Sequence, residues 1–257
     1  MPTDLPPHVL HLTRTACLVE SRAHLYSGYL ANVFRARGPR WREKFERWGE
    51  EEQTHGASLR AFLAQEDPRF DFARHLDDYL AHVPYHCDVE KSVYGSEQAE
   101  LVARCFVEAM AASYYQALGS GAAVLQPLCR RLAADEARHF TMFRRLLETL
   151  REEEGARPLE AMHVLTKRLR ALDDEQILYA SWCVRGAQAP YVREEESKRY
   201  RAMIWQLYRP EHVRFVATLS LQTLGLSVAP ARLHRLSALV HGVLSRGEEA
   251  GSLFPPC

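Results

Sequence analysis

Residues 47–56 read RWGEEEQTHG and residues 134–140 read ADEARHF. Both stretches sit inside long segments with the apolar period of one helix face. Around the first, Trp41, Phe45, Trp48, Glu52, His55, Leu59 and Phe62 follow in alternating steps of 4 and 3. Around the second, Cys129, Leu132, Glu136, His139, Phe143, Leu146 and Leu150 do the same. A Glu and a His three positions apart share a face and can converge on one point. Here they do so in the middle of a face otherwise given to packing. Two further segments carry a lone acid on such a face: Glu108 among Leu101, Cys105, Ala112 and Tyr115, and Glu20 after Ala16.

Helices are predicted at about 8–34, 40–64, 97–118 and 127–153. Gly38-Pro39 and the GSG at 119–121 supply turns between them. Residues 66–96 read as a long connection with a helix near 72–82. Further helices are predicted near 158–184, 190–208, 210–224 and 229–246, with the tail GSLFPPC frayed. Sustained alternation of the kind a strand gives is absent. The fold class predicted is all-α: a four-helix bundle over 1–154 with one long crossover, and additional packing helices over 155–257 in the same domain. The acids are 32 residues apart between Glu20 and Glu52 and 28 apart between Glu108 and Glu136, each right for a helical hairpin. The 56 residues between Glu52 and Glu108 suit a crossover that runs the length of the bundle.

Single ExxH motifs are weak evidence. The 24 Glu and 12 His in 257 residues give about one by chance, and Glu160–His163 is read as that one. The order Glu, ExxH, Glu, ExxH, one set per helix, is far more specific. Four buried carboxylates repel one another and lose hydration, at a cost on the order of several kcal/mol each. Two divalent cations would balance the four negative charges and leave two imidazoles neutral. Four oxygen and two nitrogen donors suit iron, with manganese as the alternative. This order of ligands is that of the ferritin-like carboxylate proteins. His24, four residues after Glu20, is read as packed beside such a site.

Composition narrows the function. Lys plus Arg (33) equals Asp plus Glu (33), so no global field points to a nucleic acid. Apolar runs are too short to span a bilayer, so no membrane partner is expected. The N-terminus lacks the charged and apolar regions of a secretory signal. Six dispersed cysteines with no CxxC read as reduced thiols, and the expected location is the cytoplasm. The basic stretch 35–47 (RARGPRWREKFER) reads as a solvated helix end with Arg–Glu pairs. Tyr114, Tyr115, Tyr179 and Trp182 read as core aromatics.

The words around the motifs add a resemblance. RWGEEEQTHG resembles the RWxAEExxHG segment of soluble acyl-acyl-carrier-protein desaturases, and ADEARHF is similar to their ADExRH segment. The resemblance covers about residues 8–150. It implies Glu20, Glu52, His55, Glu108, Glu136 and His139 as the catalytic iron ligands, and Asp135 as an acceptor that orients a ligating imidazole. It also implies two iron ions, dioxygen as co-substrate, a ferredoxin-type electron donor and a fatty acyl chain on an acyl carrier protein. A homodimer is the expected assembly. Ala111 stands where that family often has Thr. Two alternatives stay open: a di-iron hydroxylase or N-oxygenase acting on a small molecule or a tRNA base, and a ferritin-like protein that stores iron or scavenges oxidants.

Overall fold

Proline and short polar side chains set where the helices start. Pro39 opens one at its first turn, where its missing N–H costs nothing. Ser96 caps another, its Oγ accepting from Ala99 N at 3.1 Å. Asp71 and Asp174 do the same for Arg74 N and Ile177 N, both at 3.2 Å. The computed structural model describes residues 5–83, 89–171, 174–186 and 190–246, with 23, 24 and 246 described by backbone alone. The helices are α1 (Pro7–Glu20), α2 (Ala23–Val33), α3 (Pro39–Glu66), α4 (Phe72–His82), α5 (Glu97–Ser120), α6 (Gln126–Glu154), α7 (Pro158–Arg170), α8 (Glu175–Cys183), α9 (Arg193–Trp205), α10 (Pro210–Thr223) and α11 (Pro230–Arg246). The fold is all-α, with no strand among the described residues.

The helices predicted at 40–64, 72–82, 97–118 and 127–153 appear as α3, α4, α5 and α6. Two others differ. The helix predicted over 8–34 is broken at Ser21–Arg22 into α1 and α2. There the Ser21 hydroxyl donates to the Cys17 carbonyl at 2.7 Å, crowding the acceptor that Ser21 N also uses. Arg22 N then turns to Val19 O at 3.1 Å, a tighter register that ends the ladder. The helix predicted over 158–184 is likewise two, α7 and α8, with Asp174 capping the second. The tail GSLFPPC, Cys87 and Cys257, the side chain of His24 and part of the 66–96 connection lie outside the described residues.

The chain divides into two compact units, Met1–Ser92 with Asp173–Ile204, and Val93–Leu172 with Trp205–Cys257. In the first, α1 and α2 pack on α3, and α4 and α8 close over α1 around Leu18, Tyr79, Trp182 and Cys183. Arg14 Nε donates to Asp67 Oδ2 at 2.7 Å and ties the end of α3 to α1. In the second, α5 is buried on almost every side by α6, α7 and α10, and α11 packs on α10. Gly119 brings α5 against α6 so closely that a Cβ there would sit 2.7 Å from Cys129 Cβ. Tyr115 and Trp182 are buried, as expected of core aromatics. The basic stretch forms Arg–Glu pairs one turn apart, Arg42–Glu46 at 2.7 Å and Arg47–Glu51 at 3.4 Å. Cys17, Cys105, Cys129 and Cys183 are buried free thiols.

A buried polar chain anchors α8 and α9 to α1. Ser181 Oγ donates to Glu196 Oε1 at 2.6 Å, so it must accept from His11 Nε2–H, 2.8 Å away. Arg185 pairs with the other Glu196 oxygen. Burial first, then Arg185 and Arg14, lower His11 from 6.5 to about 4. Because the folded chain takes up this proton later than the unfolded chain, stability is full above pH 6.5 and falls as pH drops towards 4. The loss expected is up to about 3 kcal/mol. Urea unfolding across this window should show that extra loss in the wild type relative to His11→Gln; parallel pH profiles would contradict it.

Candidate metal centre

The six ligands predicted for a single centre lie three in each unit. In the first unit, Glu20 comes from the last residue of α1, and Glu52 and His55 from the middle of α3. Their ligand-type atoms lie within 4.8 Å of one another. His55 Nδ1 is 3.3 Å from Glu52 Oε2, so the imidazole turns its Nδ1 edge to the acid. Glu52 and His55 are 4% and 2% exposed, and Glu20 is half-buried.

The second unit repeats the pattern. Glu108 stands mid-way along α5, and Glu136 and His139 stand one turn apart on α6. These three also lie within 4.8 Å of one another. His139 Nδ1 is 3.6 Å from Glu108 Oε2 and 3.5 Å from Glu136 Oε2. Exposure is 2% for Glu108, 1% for Glu136 and 4% for His139. With both carboxylates ionised and the imidazole neutral, each triad would present two negative charges to a cation. A divalent cation suits such a donor set, and buried Glu/His groups at this spacing can bind a metal such as iron.

Every one of the six predicted ligands thus falls in a triad. Asp135 is half-buried, its Oδ1 accepting from Arg138 Nη2 at 2.8 Å in the same turn. Neither nearby thiol competes as a ligand. Burial, with help from Glu20, pushes Cys17 up to about 12. Burial also pushes Cys105 up to about 12, with Glu108 adding to it. Neither thiol is among the ligand atoms that lie within 4.8 Å of one another.

Two features of the first triad's surroundings escaped the sequence reading. One is Gly56, next to His55. A Cβ there would meet Ser21 N and Oγ at 3.1 Å and Glu20 C at 3.3 Å. The missing side chain lets the end of α1 reach α3, which brings Glu20 to Glu52. A glycine inside a helical pattern was the available signal. The other is an open groove of about 540 Å³ between α3 and α4, lined by Ser21, Gly56, Ala57, Arg60, Ala61 and Phe72 among others. Arg60 lies over the Phe72 ring, 4.6 Å from its centre. Its small residues are spread along α3 and its aromatic wall comes from α4, so no local motif announces it.

No family model matches the chain, and no curated protein does either.

Two like charges converging on His139 make the second triad a stability liability when no cation is present. In excess chelator, Glu108→Gln should therefore raise unfolding free energy by about 1 kcal/mol or more. It should also weaken the thermal stabilisation that added ferrous iron gives the wild type. A chelated variant less stable than the chelated wild type would show that the acids are not held against repulsion.

Proposed function

We propose that the two triads act together as a two-iron centre, and that the protein is an oxygen-dependent oxidase or oxygenase of apolar, acyl-like substrates. The observation that carries this reading is the duplication: two Glu/Glu/His triads, buried but for Glu20, each built from one helix with a lone Glu and one with ExxH. In this reading the α1–α3 pair and the α5–α6 pair are the two hairpins of one ferritin-like bundle. Four carboxylates and two imidazole Nδ1 atoms balance two divalent ions in charge.

A ferrous pair supplies the electrons that activate dioxygen. The chain's own residues do the rest. Glu20, Glu52, Glu108 and Glu136 would hold the ions and cancel their charge, and His55 and His139 would complete the donor set. Asp135, four residues before His139, serves as an acceptor that steadies an imidazole. Burial of the acids excludes bulk water, which protects a strong oxidant from quenching. The groove past Ser21 and Gly56 is of the size that small-molecule sites have, and its apolar wall suits an alkyl chain. Electrons come from a ferredoxin-type donor, and an acyl carrier protein presents the substrate to a homodimer.

Purified chain given ferrous iron under anaerobic conditions should bind two irons, and oxygen uptake beyond the first equivalent per site should require added reductant. One iron or none would overturn the metal reading. Glu136→Ala and His139→Ala should each lose iron with helix content unchanged by circular dichroism. Ala61→Trp should keep two irons and slow oxidation of an acyl substrate by about tenfold or more, because it fills the groove. Size-exclusion chromatography separates the storage alternative: a cage of many subunits would favour it over an enzyme.

A further inference from the structure

The last described helix presents an apolar side to solvent. Among the described residues α11 packs chiefly on α10. On that side Ser237 is 3% exposed, His241 Nε2 donates to the Tyr208 carbonyl at 3.0 Å, and His234 Nδ1 meets Arg214 Nη1 at 2.7 Å. Away from it, Leu236 is 53% exposed, Leu239 63%, and Val240 and Val243 43% each. At 100° per residue these four span an arc of about 100°, a full apolar face two turns long.

The charge on the helix is one-sided as well. Residues 230–246 (PARLHRLSALVHGVLSR) hold three arginines and no Asp or Glu; Glu248 and Glu249 come only after its end. Arg232 and Arg235 are exposed. On the helix wheel Arg232 falls within the arc of the leucine–valine face, one turn before Leu236 at its N-terminal end, and Arg235 lies about 40° beyond the Leu239 border. A second copy of the helix seated on this face would bring arginine against arginine. An anionic surface would gain from the same charges.

We propose that α11 is a membrane-surface helix, and that its occupant is the interface of a bilayer containing anionic lipid. Leu236, Leu239, Val240 and Val243 would enter the headgroup–acyl boundary while Arg232 and Arg235 meet lipid phosphates. No helix among the described residues is long and apolar enough to cross a membrane, so the association is peripheral. This differs from the expectation of no membrane partner, which considered only spanning segments. It does not depend on the metal reading, since α11 contributes no residue to either triad.

Co-sedimentation of the full chain with phospholipid vesicles tests it. Vesicles of phosphatidylcholine with phosphatidylglycerol should bind the protein, vesicles of phosphatidylcholine alone much less, and added salt should weaken the difference. Leu236→Glu/Leu239→Glu should keep the wild-type melting temperature, because both positions are exposed, and should lose about tenfold or more of the binding. Arg232→Glu and Arg235→Glu should each lose roughly fivefold on the anionic vesicles. Failure to bind anionic vesicles would overturn the proposal, as would wild-type binding by the leucine double variant. A dimer in solution that the double variant splits, with no vesicle binding, would assign the face to a second copy instead.

Discussion

A carboxylate buried beside another carboxylate is the constraint on which this molecule turns. Glu52, Glu108 and Glu136 are nearly inaccessible, each at the centre of a long helix and each within 4.8 Å of a second acid. An apolar side chain at any of these positions would extend the helix face without penalty. Keeping acids there costs free energy on the order of several kcal/mol per group, so the fold must tolerate them through strong packing elsewhere. Long helices provide it: α3 spans 28 residues, α5 24 and α6 29, with apolar layers on both sides of the acids.

The two triads are alike in construction and unlike in support. In the second unit both helices run unbroken through the ligand positions, and α5 is wrapped by three neighbours. Glu108, Glu136 and His139 are held by helix interiors. In the first unit, Glu20 is the terminal residue of its helix and is only half-buried. The chain turns at Ser21–Arg22, Gly56 makes space for that turn, and the groove opens on the same side. A side chain at a helix end beside an opening is held by fewer neighbours than one inside a helix.

Function at the surface rests on different physics. The triads exploit what a dry interior does to charge, whereas α11 exploits unsatisfied apolar area next to positive charge. The buried His11–Ser181–Glu196–Arg185 chain belongs to neither, and serves to fasten α8 and α9 to α1.

Periodicity by itself determined the all-α class, most helix bounds and the six acids and imidazoles of the triads. These features are local: a 3.6-residue repeat, and two side chains three positions apart, leave their mark within a dozen residues. Only the tertiary structure decided the break after Glu20, the role of Gly56, the groove between α3 and α4, and the bare face of α11. Each depends on which element packs against which. A hydroxyl competing for a carbonyl, a missing Cβ under a neighbouring turn, and a leucine row left exposed among the described residues have the same local sequence as their ordinary counterparts, and differ only in what the fold brings beside them.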